Sequence, residues 1–149
     1  MAVTVRWRGQ VVAQAMESAV DAAVKRAAAL VMIRARVLCS RPAKRIRVKR
    51  KRTTSAGPRG SQYTIYAGSA PGQPPMVRTG FGRRSIIMDY DPPRKVARAG
   101  PTVNAAYMAY LELGTEHIEP RPWLLPAMRQ SEPQVMMILT STLQRVMGK

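Results

Sequence analysis

The chain has 149 residues, of which 25 are Lys or Arg and 8 are Asp or Glu, so its formal net charge is +17 at pH 7. This length suits one domain, and a hydrophobic fraction of 46% is enough to form a core, which excludes a disordered basic tail. Lys or Arg interrupts every apolar stretch before it reaches about 18 residues, so no transmembrane helix is predicted. A single cysteine excludes an intrachain disulfide, and together with a single histidine it argues against a structural zinc site.

The first predicted element is one long helix over residues 10–38. The residues before it, 3–7, alternate in polarity and are predicted as a short strand. Pro42 prevents the helix from continuing. At roughly 40 Å, the helix is longer than a domain of this size needs to cover its own core. Its apolar face, at spacings of three and four, consists of Val12, Met16, Val20, Val24, Ala27, Val31, Ala35 and Leu38.

The next predicted element is a β-hairpin over residues 43–67. Basic and apolar residues alternate along 45–49, and the alternation resumes along 63–67 after a loop rich in Gly and Pro at 53–61. Eight of the twelve residues at 41–52 are basic. A two-stranded ribbon is not stable alone, so we expect a projecting arm that is ordered mainly by what it contacts.

An irregular connector rich in Pro and Gly follows the hairpin over residues 68–79. Residues 83–88 are then predicted as a turn followed by a strand, and residues 95–99 as a second strand that returns after a turn at 91–93. A short helix is predicted over residues 105–113, with Gly114 ending it.

The last predicted element is a helix that begins at Ser131, with Ser131 as its N-cap and Pro133 in its first turn. The complete pattern indicates an α+β fold. We expect the long N-terminal helix and the C-terminal helix to pack on a small, mostly antiparallel sheet. The basic hairpin, residues 41–67, is expected to project as an arm from a single domain spanning residues 1–149.

Few residues suggest catalysis. The acidic cluster near the C-terminal third of the chain consists of Glu112, Glu116, His117 and Glu119. Gly114 interrupts the helix within this cluster, so a solvated or subunit-contacting edge is favoured over a metal or acid–base site. Cys39 is interpreted as a partly buried structural thiol rather than a nucleophile. We therefore predict no enzymatic activity, no metal and no cofactor.

The basic residues of the arm are the leading functional candidates: Arg45, Arg47, Lys49, Arg50, Lys51 and Arg52. A row of charges that alternates with apolar residues can follow a phosphate backbone. Three hypotheses remain open: contact with duplex DNA without sequence reading, docking on an acidic protein surface, and a solvated arm. Aromatic residues are scarce nearby, so the pattern gives little support to base-stacking recognition of single strands.

Two pairs of short segments add a family resemblance. Residues 70–80 read Ala-Pro-Gly-Gln-Pro-Pro-Met-Val-Arg-Thr-Gly and are followed by Arg-Arg-Ser-Ile at 83–86. Residues 107–115 read Tyr-Met-Ala-Tyr-Leu-Glu-Leu-Gly-Thr and are followed by Arg-Pro-Trp-Leu-Leu-Pro-Ala at 121–127. In this order, over residues 10–147, the chain resembles the head-to-tail joining proteins of long-tailed bacteriophages and prophages, a neck or tail-completion family that includes tail-terminator-like members.

The resemblance implies a structural virion protein that forms a six-fold homo-oligomeric ring in the neck, between the head connector and the tail tube. The implied partners are further copies of the chain, the neighbouring connector or head-completion and tail-tube proteins, and the double-stranded DNA that crosses the ring. No membrane is implied, and assembly would take place in the host cytoplasm. A small basic nucleic-acid-binding protein of ribosomal or nucleoid type is the alternative.

The second segment, residues 107–127, has features that are typical of a subunit interface. A helix-ending turn offers a carboxylate and a hydroxyl at a rigid edge, and paired prolines restrict an aromatic anchor. We therefore predict a subunit interface that includes the long helix and the residues Glu112, Gly114, Thr115, Arg121, Pro122 and Trp123. Trp123 is expected to be largely buried, in the protomer core or between subunits.

Overall fold

The computed structural model describes residues 9–54 and 57–147, and their side chains apart from those of residues 50–61. Its elements in chain order are α1 (Gly9–Leu38), β1 (Arg45–Thr54), β2 (Gly57–Tyr66), α2 (Phe81–Ser85), β3 (Ile86–Asp91), β4 (Val96–Pro101), a 3₁₀ turn (Val103–Ala105), α3 (Tyr107–Leu113) and α4 (Leu124–Met147). The strand predicted at residues 3–7 lies outside the described residues. The α+β class is confirmed. In the described part of the chain, the strands form two separate antiparallel pairs rather than one small sheet.

The two long helices form the frame of the molecule. The helix α1 is 30 residues long and matches the predicted element closely. The end of α1 and the start of α4 share one buried cluster, which contains Ala35, Cys39, Trp123 and Ala127. The two helices pack along each other, and because α4 starts at that end it runs back along α1. Alanine at the contact lets the two helices approach closely.

The C-terminal helix begins at Leu124, so the prediction of a start at Ser131 was wrong. Ser131 is buried inside α4, and its hydroxyl donates a hydrogen bond to the Ala127 carbonyl at 2.7 Å rather than capping the helix. Pro133 lies in the helix interior. Pro126, rather than Pro133, lies in the first turn of α4. The N–H that proline lacks would have no partner within the helix at that position. The group that caps α4 comes from outside the helix, as described below.

The arm formed by β1 and β2 confirms the predicted hairpin, but the prediction of a loop over 53–61 was wrong, because β1 extends to Thr54 and β2 begins at Gly57. Arg45 pairs with Tyr66 at its base and Thr54 pairs with Gly57 near its tip. The two strands contact each other extensively and other elements only sparsely. A short bridge near the base joins Pro42 to Val77 of the connector. The ribbon is therefore supported by the body mainly at its base.

The second strand pair, β3 and β4, packs against α1, and Asp21 is one of the α1 residues that bind it. The Asp21 carboxylate accepts hydrogen bonds from Lys95 Nζ at 2.8 Å and from the Tyr90 hydroxyl at 2.6 Å. The bond from Lys95 is the main reason why the pKa of Asp21 lies below its ordinary value of 3.8, and it also raises the pKa of Lys95 above 10.5. Burial, with a further contribution from Asp21, raises the pKa of Tyr90 to about 12.

Replacing Asp21 by Asn should lower the thermal midpoint at neutral pH, because it removes the ionic partner of Lys95. The contribution of Asp21 to the free energy of unfolding is present above pH 3.8 and is lost as pH falls through the lowered pKa of the folded state. The Lys95 contribution is present below pH 10.5 and is lost as pH rises through the raised folded pKa. The difference in midpoint between wild type and Asp21→Asn should therefore close at both pH extremes.

Thermal unfolding at a series of pH values measures this difference. The matched control is Glu132→Gln, at an exposed position on α4. Its midpoint should follow that of wild type throughout. A deficit for Asp21→Asn that persists unchanged from neutral pH into strong acid would contradict the assignment.

Candidate functional site

Glu112 joins the two halves of the segment over residues 107–127. Its carboxylate accepts three backbone N–H bonds at the start of α4, from Trp123 at 2.6 Å, Leu124 at 2.8 Å and Leu125 at 2.8 Å. The first N–H groups of a helix have no partner within the helix, and a negative charge there also complements the helix dipole. Glu112, on α3, is thus the N-terminal cap of α4.

Trp123, directly before α4, is also bound to α3, and the contact of α3 with the start of α4 is called the junction below. Its indole Nε1 donates a hydrogen bond to the Met108 carbonyl at 3.0 Å, and only 1% of the residue is exposed. It packs in the core cluster with Ile86 and Ala127. The prediction that Trp123 is largely buried is confirmed, and the burial occurs inside the protomer.

The turn after α3 is tightly built. Gly114 adopts a φ of 80° and its N–H donates to the Tyr110 carbonyl at 2.9 Å, which ends the helix as predicted. The Thr115 N–H donates to the Ile118 carbonyl at 2.8 Å. The Thr115 hydroxyl oxygen accepts from the backbone N–H groups of His117 and Ile118 at 3.3 and 3.1 Å. The turn therefore has a defined shape while most of its side chains face solvent.

The connector of the first segment lies against this junction. Arg121 donates through its backbone N–H to the Leu111 carbonyl at 2.6 Å and through Nε to the Ser69 carbonyl at 3.0 Å. The Gly72 N–H donates to the Pro120 carbonyl at 2.9 Å. The segments on which the family resemblance depends are far apart in sequence but form one contiguous structure.

These contacts give Glu112 and Arg121 intrachain roles that sequence reasoning missed. A usable signal was present: residues 120–123 read Pro-Arg-Pro-Trp, with no Ser, Thr, Asp or Asn to cap the helix that follows. When no neighbouring residue can cap a helix, its first N–H groups need an acceptor from another part of the chain. The assignment of Glu112, Gly114, Thr115, Arg121, Pro122 and Trp123 to a subunit interface stays a prediction.

An open cavity of about 530 Å³ lies between the connector, α2 and α3. Its lining combines apolar side chains with three arginines, Arg78, Arg83 and Arg121. Cys39 also contributes to it. Burial, with a smaller contribution from the negative charge of Glu112, raises the pKa of the Cys39 thiol to about 12. The thiol is therefore protonated at neutral pH, and its placement agrees with a structural role rather than a nucleophilic one.

Among the described residues, no group of three His, Cys, Asp or Glu side chains is arranged to hold a metal ion. Glu116, His117 and Glu119 are exposed on the turn, while Glu112 is directed to α4. Across residues 9–54 and 57–147, no helix has both the length and the apolar character needed to cross a membrane.

The arm has two chemically different faces at its base. Alternation along β1 places Arg45, Arg47 and Lys49 on one face, opposite Tyr66, Thr64 and Gln62 of β2, and all three basic side chains are exposed. The Arg45 and Arg78 guanidinium carbons lie 6.0 and 5.1 Å from the centre of the Tyr66 ring. This basic face is the row of charges that the sequence predicted.

The opposite face of the arm is apolar, and sequence reasoning had not given it a role. It consists of Ile46, Val48, Tyr63 and Ile65, which form adjacent cross-strand pairs. Ile46, Tyr63 and Ile65 remain 39%, 48% and 42% exposed. We call this set the apolar face of the arm. Further out, the backbones of Arg50, Lys51 and Arg52 pair with Ser61, Gly60 and Arg59, and their side chains lie outside the described atoms.

No protein-family model matches the chain, no curated protein is significantly similar to it, and no solved structure matches its fold at a significant level.

Replacing Glu112 by Gln should lower the free energy of unfolding by about 1–2 kcal/mol. The amide keeps one acceptor oxygen but loses the negative charge and the second acceptor for the N–H groups of α4. Urea unfolding measures the change. Glu116→Gln, four residues away on the exposed turn, is the matched control and should change stability by less than about 0.5 kcal/mol. Equal effects of the two variants would contradict the capping role.

Replacing Trp123 by Ala should lower the free energy of unfolding by about 3–5 kcal/mol, because it removes the largest fully buried side chain and leaves a cavity. Trp123→Phe should cost less, since a ring still fills most of the space while the bond to the Met108 carbonyl is lost. Chemical denaturation of both variants provides the measurement. A loss below about 1 kcal/mol for Trp123→Ala would be incompatible with this packing.

Proposed function

We propose that the chain is a structural protein of a bacteriophage neck. It assembles as a homo-oligomeric ring, six-fold by family resemblance, that joins the DNA-filled head to the tail. The observation that carries the proposal is the arm, an exposed basic ribbon that the body supports mainly at its base. Its role is to meet the DNA that passes through the ring, and the protein resides in the virion neck after assembly in the host cytoplasm.

The geometry of the basic face suits a phosphate backbone. Alternate residues of a strand lie ~6.8 Å apart, and the phosphates of one DNA strand advance ~3.4 Å per step along the axis. Arg45, Arg47 and Lys49 therefore form a row of positive charge about 14 Å long, which several phosphates of one backbone can contact. No base-reading arrangement accompanies them, which suits DNA that must slide past without regard to sequence. An acidic surface on a neighbouring ring is the close alternative partner for the same face.

The junction around Glu112 supports a structural rather than an enzymatic role. It fixes α3, α4 and the connector to one another by backbone hydrogen bonds and a buried aromatic ring. A ring protomer needs a rigid body from which an arm extends, and this arrangement supplies one.

A small basic nucleic-acid binder of ribosomal or nucleoid type is the second candidate, and the net charge of +17 favours it. The exposed apolar side chains weigh against it. The apolar face of the arm and the outer side of α3 leave extended apolar surface in contact with water, which is typical of a protein that assembles with other proteins. Negative-stain images of the purified protein separate the two: rings support the neck protein, and monomers that bind nucleic acid tightly support the alternative.

Replacing the six basic residues Arg45, Arg47, Lys49, Arg50, Lys51 and Arg52 by Gln should leave the fold intact, because the arm contacts the body little. DNA affinity should fall, and the slope of log K against log salt should flatten by about 0.9 for each phosphate that the variant no longer neutralises. Circular dichroism, thermal unfolding and titration of duplex DNA at several salt concentrations measure these effects. In a phage that encodes the protein, the same variant should impair head–tail joining or DNA retention.

A matched control removes the same charge from exposed positions off the arm. It replaces Arg26, Arg84, Arg94, Arg98, Arg129 and Arg145 by Gln. This variant should retain most of the DNA affinity and of the salt slope. If the two variants lose affinity equally, the contact depends on overall charge and the arm has no special role. An arm that lies over carboxylates of another protein, away from the channel, would exclude DNA as its partner.

A further inference from the structure

The outer side of α3 carries a continuous apolar row. Val103, Tyr107, Tyr110 and Leu113 follow one another at spacings of three and four along one side of the helix and of the 3₁₀ turn before it. Their exposed fractions are 93%, 44%, 59% and 80%. Tyr107 lies at the edge of this row, since it also lines the cavity with its hydroxyl beside Gly82 of α2. We call these four residues the α3 stripe. Single exposed apolar residues are common on proteins, whereas an aligned row of this kind marks a binding surface.

The turn directly after the stripe is negatively charged. Glu116 and Glu119 are both exposed there. Three other carboxylates are engaged within the chain: Asp21 binds Lys95, Asp91 pairs with Arg94 at 3.7 Å, and Glu112 caps α4. Across the described residues, no other segment this short displays two exposed carboxylates. The surface is therefore an apolar stripe that ends in negative charge.

The arm has the complementary composition. Its apolar face is partly exposed, and the strand that carries half of it has the highest density of positive charge in the chain. Within one chain, the arm does not pack on α3. Every copy carries one apolar face of the arm and one α3 stripe. Because the two do not meet within a chain, they can cover each other only when they belong to different copies.

We propose that the apolar face of the arm packs on the α3 stripe of a second copy of this chain. Glu116 and Glu119 of that copy meet Lys44, which is exposed and stands two residues before Ile46, on the same side of the chain. The contact rests on the proposed ring and assigns the surfaces that join neighbouring subunits. In the proposed ring each copy places its arm on the next copy, a head-to-tail arrangement that forms a closed ring or an open filament according to the rotation between neighbours. The basic face of the arm points away from the contact and stays available to a polyanion.

Single-cysteine cross-linking tests the contact in the full chain. Cys39→Ala supplies the background, and Ile65→Cys and Leu113→Cys are introduced into separate chains. After mixing and mild oxidation, denaturing gels should show the mixed disulfide dimer. Its yield should exceed that of Ile65→Cys mixed with Met137→Cys by about tenfold, because docked neighbours react at a raised effective concentration. Met137 is 68% exposed on α4 and serves as the matched partner. A chain that carries both Ile65→Cys and Leu113→Cys should give a ladder of oligomers.

Sedimentation velocity tests the same contact without cysteines. The double variant Glu116→Lys with Glu119→Lys should weaken self-association by about tenfold or more, since it places like charges against the arm. Asp89→Lys with Glu132→Lys makes the same change in net charge at exposed positions elsewhere and should leave association near that of wild type. Tyr110→Ser with Leu113→Ser should weaken association because it removes apolar surface from the stripe.

The outcomes of these experiments test the contact between the arm and α3 separately from the proposed ring. If wild type assembles but the mixture of Ile65→Cys and Leu113→Cys cross-links no better than the control, the contact is wrong and the ring stands. If the specific cross-link forms but the particles are open filaments, the contact stands and the ring fails. A wild-type chain that sediments as a monomer at every concentration overturns both.

Discussion

The carboxylate of Glu112 holds together the part of the molecule on which the rest depends. It accepts the N–H groups of three successive residues, and so it fixes where α4 begins and at what angle the chain enters that helix. Trp123, the first of the three, is then placed with its ring in the core and its indole N–H on the Met108 carbonyl. Since α4 packs along α1, the cap also fixes the point at which the pairing of the two long helices begins.

The core that this junction organises is small. In the described part of the chain, its buried members are mostly small side chains, with Trp123 and Ile86 as the largest fully buried apolar ones. Much of the apolar surface lies instead on the arm and on α3, exposed to solvent. In the proposed ring, contact between subunits would remove part of that surface from water and so add to the stability of each chain.

The excess of positive charge explains why the arm extends away from the body. Like charges repel within a compact body, so a chain with a net charge of +17 is stabilised when its densest basic segment extends away from the rest. The arm does this, and its alternating pattern separates charge from apolar side chains onto opposite faces. In the proposed ring, one face would contact protein while the other contacts DNA, so the two proposed partners would not compete for the arm.

The sequence alone determined the elements that are set by short-range patterns: the amphipathic period of α1, the alternation of the hairpin, and the glycine that ends α3. It also indicated the α+β class and the burial of Trp123 between prolines. The tertiary structure decided the rest. The start of α4 could not be derived locally, because its cap lies eleven residues before the first N–H that it accepts and reaches it across a turn. The role of Glu112, the meeting of the connector with Arg121, and the uncovered α3 stripe all depend on distances in space, which hydrophobic period and local propensity do not encode.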